Sequence, residues 1–212
     1  MDVSGKETGY KTSWYDGWLF ATFVDVMSEK VLNLNTIVRE FMSHHKDVLD
    51  IGCGTGSLAF SLSDKCKSIK GIDISPRMIN YAQKHHALPN VEFLLVRKND
   101  KLSELFKQSF DYAILKMTLH EMPEKERSDL IGESKKISKE MIVVDWIAPQ
   151  PRYAGINTYI AEISALRDHF MNFRDWQRKG GLDGFLERHH LTIVQENMFV
   201  NKTGKIVRVN WQ

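Results

Sequence analysis

Short apolar runs alternate with amphipathic stretches along most of this chain. Asp47 to Ile51, Ser68 to Ile74, Val91 to Val96, Phe110 to Leu115 and Met141 to Trp146 are brief, β-prone and mostly apolar. That is the pattern of strands buried on both faces of a sheet. Between them, Ser57 to Leu62 and Pro76 to about His86 have helical spacing, and Leu32 to Phe41 predicts a further short helix. Another helix is expected from Pro123, with Glu124 and Glu126 in its first turn and Lys135, Lys136 and Lys139 near its end. That polarity complements the helix dipole. Strands separated by helices predict a parallel sheet. Thr192 to Val200 and Lys205 to Trp211 instead alternate around Asn201 to Gly204, which predicts an antiparallel hairpin.

Two segments stand outside this rhythm. Residues 1–13 are polar, after which Trp14, Tyr15, Trp18, Leu19, Phe20 and Phe23 crowd together. Trp14, Trp18 and Leu19, continued by Thr22, Phe23 and Val26, have helical spacing. They predict either a core-facing helix or a cover over a site, with Tyr15, Asp16 and Trp18 facing it. Ile147 to Tyr153 holds two prolines and is expected to be extended. Ile156, Tyr159, Ile160, Ile163, Leu166 and Phe170 then mark one helix face, Gly180 and Gly181 break it, and Leu182 to His190 resumes it.

Candidate chemistry gathers where the first apolar run meets its helix. In KDVLDIGCGTG, Lys46 to Gly56, glycines occupy 52, 54 and 56 between a strand and a helix. Glycine allows tight turning and a close ligand approach, and such a turn lies at the carboxyl edge of a parallel sheet. Asp73 ends the next strand about 20 residues on, where an acid can accept hydrogen bonds from both ribose hydroxyls of a nucleoside. Ser75 then offers an N-cap and Pro76 a first helical position.

These residues resemble class I S-adenosylmethionine-dependent methyltransferases. VLDIGCGTG, Val48 to Gly56, is similar to that family's first motif, GIDISP from Gly71 to its second, and FDYAIL from Phe110 to its fourth strand. The resemblance spans roughly residues 40–210. It implies an α/β fold: a Rossmann-like three-layer α/β/α sandwich whose seven-stranded, mostly parallel sheet carries an antiparallel C-terminal hairpin strand. It also implies an N-terminal helical cap or lid over 1–45 and a catalytic domain over 46–212, with a helical insertion at about 153–179. The cofactor implied is S-adenosylmethionine, with S-adenosylhomocysteine as product. Its contacts would come from Asp50, Gly52, Cys53, Gly54, Gly56, Asp73, Ile74, Met78, Lys98, Asn99 and Lys116. Asp50 suits the amino group of the methionine tail and the turn amides its carboxylate.

One departure stands out. The acid that reads the adenine amino group in the family aligns with Arg97, which cannot accept a hydrogen bond. Backbone groups, Asn99 or Asp100 remain open for that task. In the loop KMTLHEMP, His120 and Glu121 are the expected catalytic or acceptor contacts, with Tyr15 from the lid. His120 is a base, an orienting group or a support for its own loop. Tyr153, Tyr159, Arg167, His169 and Arg174 are further acceptor-side candidates or solvated helix residues.

Composition narrows the class. The chain has 212 residues and a net charge of +2, with no basic block or basic-aromatic stripe to suggest nucleic acid. No apolar run reaches the ~18 residues of a membrane span, and the polar start is unlike a signal peptide. Two cysteines cannot make a disulfide framework, and Asn201 to Thr203 reads as a turn rather than a glycosylation site. A cytoplasmic monomer or homodimer with a small-molecule acceptor is expected. The doublets His44-His45, His85-His86 and His189-His190 have no third ligand at a useful spacing and read as helix ends, and His120-Glu121 is not the start of a zinc-protease motif because Glu124 stands where the second His would be, so no metal is expected. A dinucleotide oxidoreductase would want Gly-x-Gly-x-x-Gly, and Asp50 would repel a pyrophosphate. A cofactor-binding regulatory subunit is the other alternative.

Overall fold

The computed structural model describes residues 33–151, 155, 167–199 and 202–211, with the side chains of 167 and 168 excepted. The expectations for the lid, including Trp14, Tyr15, Asp16 and Trp18, lie outside the described residues. So do those for Tyr153, Tyr159 and the side chain of Arg167.

The sheet is seven-stranded, in the order β3-β2-β1-β4-β5-β7-β6. Its strands are β1 (Asp47–Ile51), β2 (Ser68–Asp73), β3 (Val91–Leu95), β4 (Phe110–Lys116), β5 (Ser138–Trp146), β6 (Thr192–Phe199) and β7 (Gly204–Asn210). β1 to β5 are mutually parallel, and β7 runs antiparallel between β5 and β6. The helices are α1 (Leu34–Glu40), α2 (Ser57–Leu62), α3 (Pro76–His85), α4 (Leu102–Leu105), α5 (Glu124–Ile137), α6 (Arg167–Arg178) and α7 (Gly181–Arg188). This is the expected Rossmann-like α/β arrangement. β1 begins a crossover toward β2 on one side and pairs with β4 on the other, so chain order reverses between β1 and β4. Ligands of open α/β sheets bind in the crevice outside the strand ends at such a point.

The central strands earn their place by burial. Val48, Leu49, Ile114, Leu115, Ile142 and Val143 are fully enclosed, and burying each such side chain contributes about 1.5–3 kcal/mol. Two details differ from the sequence expectation. α5 ends at Ile137 and β5 starts at Ser138. Lys139, expected in the helix's last turn, therefore sits on the strand and pairs with Asp111 at 2.8 Å. α4 was not foreseen, because four residues carry no readable periodicity.

Candidate active site

The glycine turn hangs on β2. The backbone N–H groups of Gly52 and Cys53 both donate to the Ile72 carbonyl, at 2.8 and 3.0 Å. All three glycines have positive φ, but they do different work. A Cβ at Gly52 would meet the Thr118 side chain at 2.7 Å, and one at Gly56 would meet the Phe93 ring at 2.5 Å. At Gly54 nothing among the described residues lies within 4 Å. Two glycines thus permit packing, and the middle one borders open space. Its N–H donates to Asp73 Oδ2 at 2.9 Å, while Asp73 Oδ1 accepts from the Ser75 N–H at 2.8 Å. Ser75 caps α3 as expected, its Oγ accepting from the Met78 N–H.

Beneath the turn, Asp50 is 2% exposed, and its Oδ2 has no hydrogen-bond partner. Burial pushes its carboxyl up to about 7; Lys116 pulls it down and Asp73 adds to the rise. A buried carboxylate oxygen without a donor is costly, and a ligand's ammonium is the kind of group that would relieve it. Lys116 donates to Asn35 Oδ1 at 2.7 Å, tying β4 to α1. The Cys53 thiol is buried, and burial raises it well above its ordinary range, with Asp50 and Asp73 adding to the effect. Ile74 and Met78 are half-buried just beyond β2, whereas Arg97, Lys98 and Asn99 are exposed after β3. Lys98 pairs with Glu126 at 2.8 Å. Asp100 Oδ2 accepts from the Arg97 N–H at 2.7 Å, closing that loop on itself.

The loop expected on the acceptor side follows β4. Met117 adopts a left-handed conformation, with φ of 56°, an unfavourable geometry for a non-glycine residue. A 3-10 turn over Leu119–Glu121 comes next. Four N–H groups converge on the fully buried Asp145 at the end of β5. The Leu119 and His120 amides reach Oδ2 at 3.1 and 3.3 Å, and the Trp146 amide and His120 Nδ1 reach Oδ1 at 2.7 and 2.8 Å. An ionised carboxylate can only accept, so His120 carries a proton on Nδ1 and turns Nε2 away from Asp145. His120 is 2% exposed, among Trp146, Phe173 and His169.

A second clamp holds this loop to α6. Arg127, fully buried on α5, donates from Nε to the Leu119 carbonyl at 2.8 Å and from Nη2 to the Asn172 carbonyl at 3.0 Å. It also pairs with Glu124 and Asp175 and lies over the Trp176 ring. Asn172 Nδ2 donates to the Glu121 carbonyl at 2.7 Å. His169, named above as an acceptor-side candidate, is thereby brought next to His120 and Glu121. Arg174, from the same group, lies against Phe170.

Comparison with known proteins agrees with this geometry. Residues 42–145 match the family model described as a methyltransferase domain. Magnesium protoporphyrin IX methyltransferase from Synechocystis PCC 6803, solved with S-adenosylhomocysteine bound, shares the fold with a TM-score of 0.59 at 18% identity, over 96% of this chain and 90% of that one. The chain belongs to the class I S-adenosylmethionine-dependent methyltransferases. Among relatives of this methyltransferase, juvenile hormone acid O-methyltransferase from Bombyx mori is 33% identical over 85 residues, 38% of this chain and 31% of that protein. Ubiquinone biosynthesis O-methyltransferase from Neisseria meningitidis serogroup C is 32% identical over 101 residues, 43% and 42% respectively. The match spans less than half the length of these relatives.

Sequence reasoning missed Asp145, Asn35 and Arg127 in this methyltransferase. Asp145 carried one signal: an acid inside the apolar run Met141 to Trp146 has to be buried with its partners. Arg127 carried none, because a basic residue on a polar helix reads as solvated.

Proposed function

We propose that this methyltransferase moves the methyl group of S-adenosylmethionine to an oxygen atom of a small-molecule acceptor. The observation that carries the reading is the pairing of two unlike ends in one crevice. At one end, Asp50 Oδ2 lacks a hydrogen-bonding partner beneath the glycine turn, where no described residue lies within 4 Å of a Cβ at Gly54. At the other, Asp145 holds the His120 ring. In this reading Asp50 meets the methionine ammonium, the turn amides meet its carboxylate and Asp73 meets the ribose. His120 and Glu121 mark the acceptor end, with Tyr15 proposed as a lid contact.

The transfer is an in-line displacement. An acceptor oxygen lone pair forms the new C–O bond, the C–S bond breaks, and its electron pair returns to sulfur as the neutral thioether. The sulfonium is already activated, so the protein aligns the partners and excludes water. The names of the two O-methyltransferase relatives support oxygen, one of them an acid and the other on a quinone pathway.

Two measurements test the proposal. S-adenosylhomocysteine at about 100 times its dissociation constant should add about 2.7 kcal/mol, or roughly 5–10 °C in melting temperature, where NAD and NADP add nothing. A panel of carboxylic acids, phenols, amines, thiols and RNA should then yield turnover among the first two. Turnover confined to amines, thiols or RNA would overturn the oxygen reading. Cofactor binding with no turnover on any acceptor would favour a regulatory subunit.

A further inference from the structure

His120, Glu121 and His169 each present one ligand atom, and the three atoms lie within 4.8 Å of one another. We propose that they form a binding site for a divalent transition-metal ion at the acceptor end of the crevice. Two imidazole nitrogens and one carboxylate oxygen are a donor set suited to zinc, iron(II), cobalt(II) or manganese(II), with positions left for a further ligand. In the sequence Glu124 stands where a second histidine would complete a motif from His120 and Glu121, and the expectation of no metal there rested on that ground. The fold removes it by bringing α6 against the 3-10 turn.

The surroundings are those of a supported site. His120 Nδ1 is bonded to Asp145, so Nε2 is the ligand atom and its direction is fixed. A carboxylate behind a histidine in this way orients the ring and raises its basicity toward a metal. Asp145 is itself held by three backbone N–H groups. The His169 ring stands nearly perpendicular to that of His120, with centroids 5.6 Å apart, and its Nδ1 is 3.7 Å from Glu121 Oε1. Asn172 and Arg127 tie the two ligand-bearing elements together. Ligand atoms about 2.0–2.2 Å from a tetrahedral ion lie roughly 3.3–3.5 Å apart. The three ligand atoms, within 4.8 Å of one another, have to draw together to close on the ion.

The ion's role rests on the methyl-transfer reading, whereas its binding does not. Bound there, the ion takes the acceptor oxygen as a ligand and favours its deprotonated form. The proton passes to solvent water, and the oxygen lone pair attacks the methyl carbon. The ion's oxidation state is unchanged. This makes carboxylate, phenolate and enolate oxygens the natural acceptors and leaves His120 as a ligand instead of a base.

The test uses the untagged full chain, stripped by chelator and titrated with cobalt(II) and zinc(II). We expect one equivalent bound, with a visible cobalt spectrum of low coordination number. His169→Ala and Glu121→Gln should each weaken binding at least tenfold while leaving S-adenosylhomocysteine affinity intact. Asp145→Asn should weaken it about 10–100-fold, as loss of such a supporting carboxylate does. Failure of wild type to bind stoichiometric metal would overturn the site, as would unchanged binding in both His169→Ala and Glu121→Gln. Metal bound at the site with turnover unaffected by stripping would refute the acceptor role alone. A failed acceptor screen with metal bound would count against the oxygen-transfer reading and leave the site standing.

Discussion

Asp50 and Asp145 are both buried carboxylates at strand ends, but their surroundings are opposite. Asp145 collects four N–H groups, whereas Asp50 keeps an oxygen without a hydrogen bond. Burial raises Asp50 to about 7, against 3.8 for the ordinary group. The folded apoprotein therefore holds more protons than the unfolded chain between those values, and its stability falls as pH rises through that window. A cofactor ammonium pairs with the ionised form. Affinity for S-adenosylhomocysteine should accordingly rise as pH increases toward 7 and level off above it. Calorimetric titrations from pH 5.5 to 8.5 would show the slope, and Asp50→Asn should abolish it. The same slope in Asp50→Asn would assign the effect elsewhere. Asp50 was legible in the sequence because it sits directly before the glycines. Asp145 gave only the hint of an acid in an apolar run, since three of its four donors lie on a loop that only the β4–β5 pairing brings alongside.

At the scale of elements, the turn after β1 separates packing from ligand access, and this was only half legible. The sequence shows three glycines; only the fold shows that Gly56 faces Phe93 and that Gly54 faces none of the described residues. Alanine in a left-handed conformation costs about 1–2 kcal/mol at either position. Gly56→Ala adds a clash with an enclosed ring, so urea unfolding should show a loss of more than about 2 kcal/mol. Gly54→Ala should lose only the backbone term, yet its Cβ would enter the ligand's space and weaken S-adenosylhomocysteine binding strongly. Equal stability losses in the two variants would contradict this division. Strands and most helices were legible because their periods differ. The boundary at Ile137 was not, because Lys139 suits a helix end and a strand beginning equally well.

At the scale of the whole molecule, Arg127 joins α5, the 3-10 turn and α6 through one enclosed guanidinium. Removing one member of such a buried cluster costs about 3–5 kcal/mol because its partners stay behind unpaired. Arg127→Ala should lower unfolding stability by that amount, as denaturant titration would measure, and reduce turnover more than cofactor affinity. A change under 1 kcal/mol would show that the cluster is solvated. The two ends of the crevice hang from different parts of the sheet. The glycine turn is fastened to β2, and the His120 loop to β5 and α6. On the proposed assignment of the two ends, mutations accumulating in α6 reshape what is methylated without disturbing how the donor is held. A lineage built on this frame is free to change its chemistry's target while inheriting its reagent.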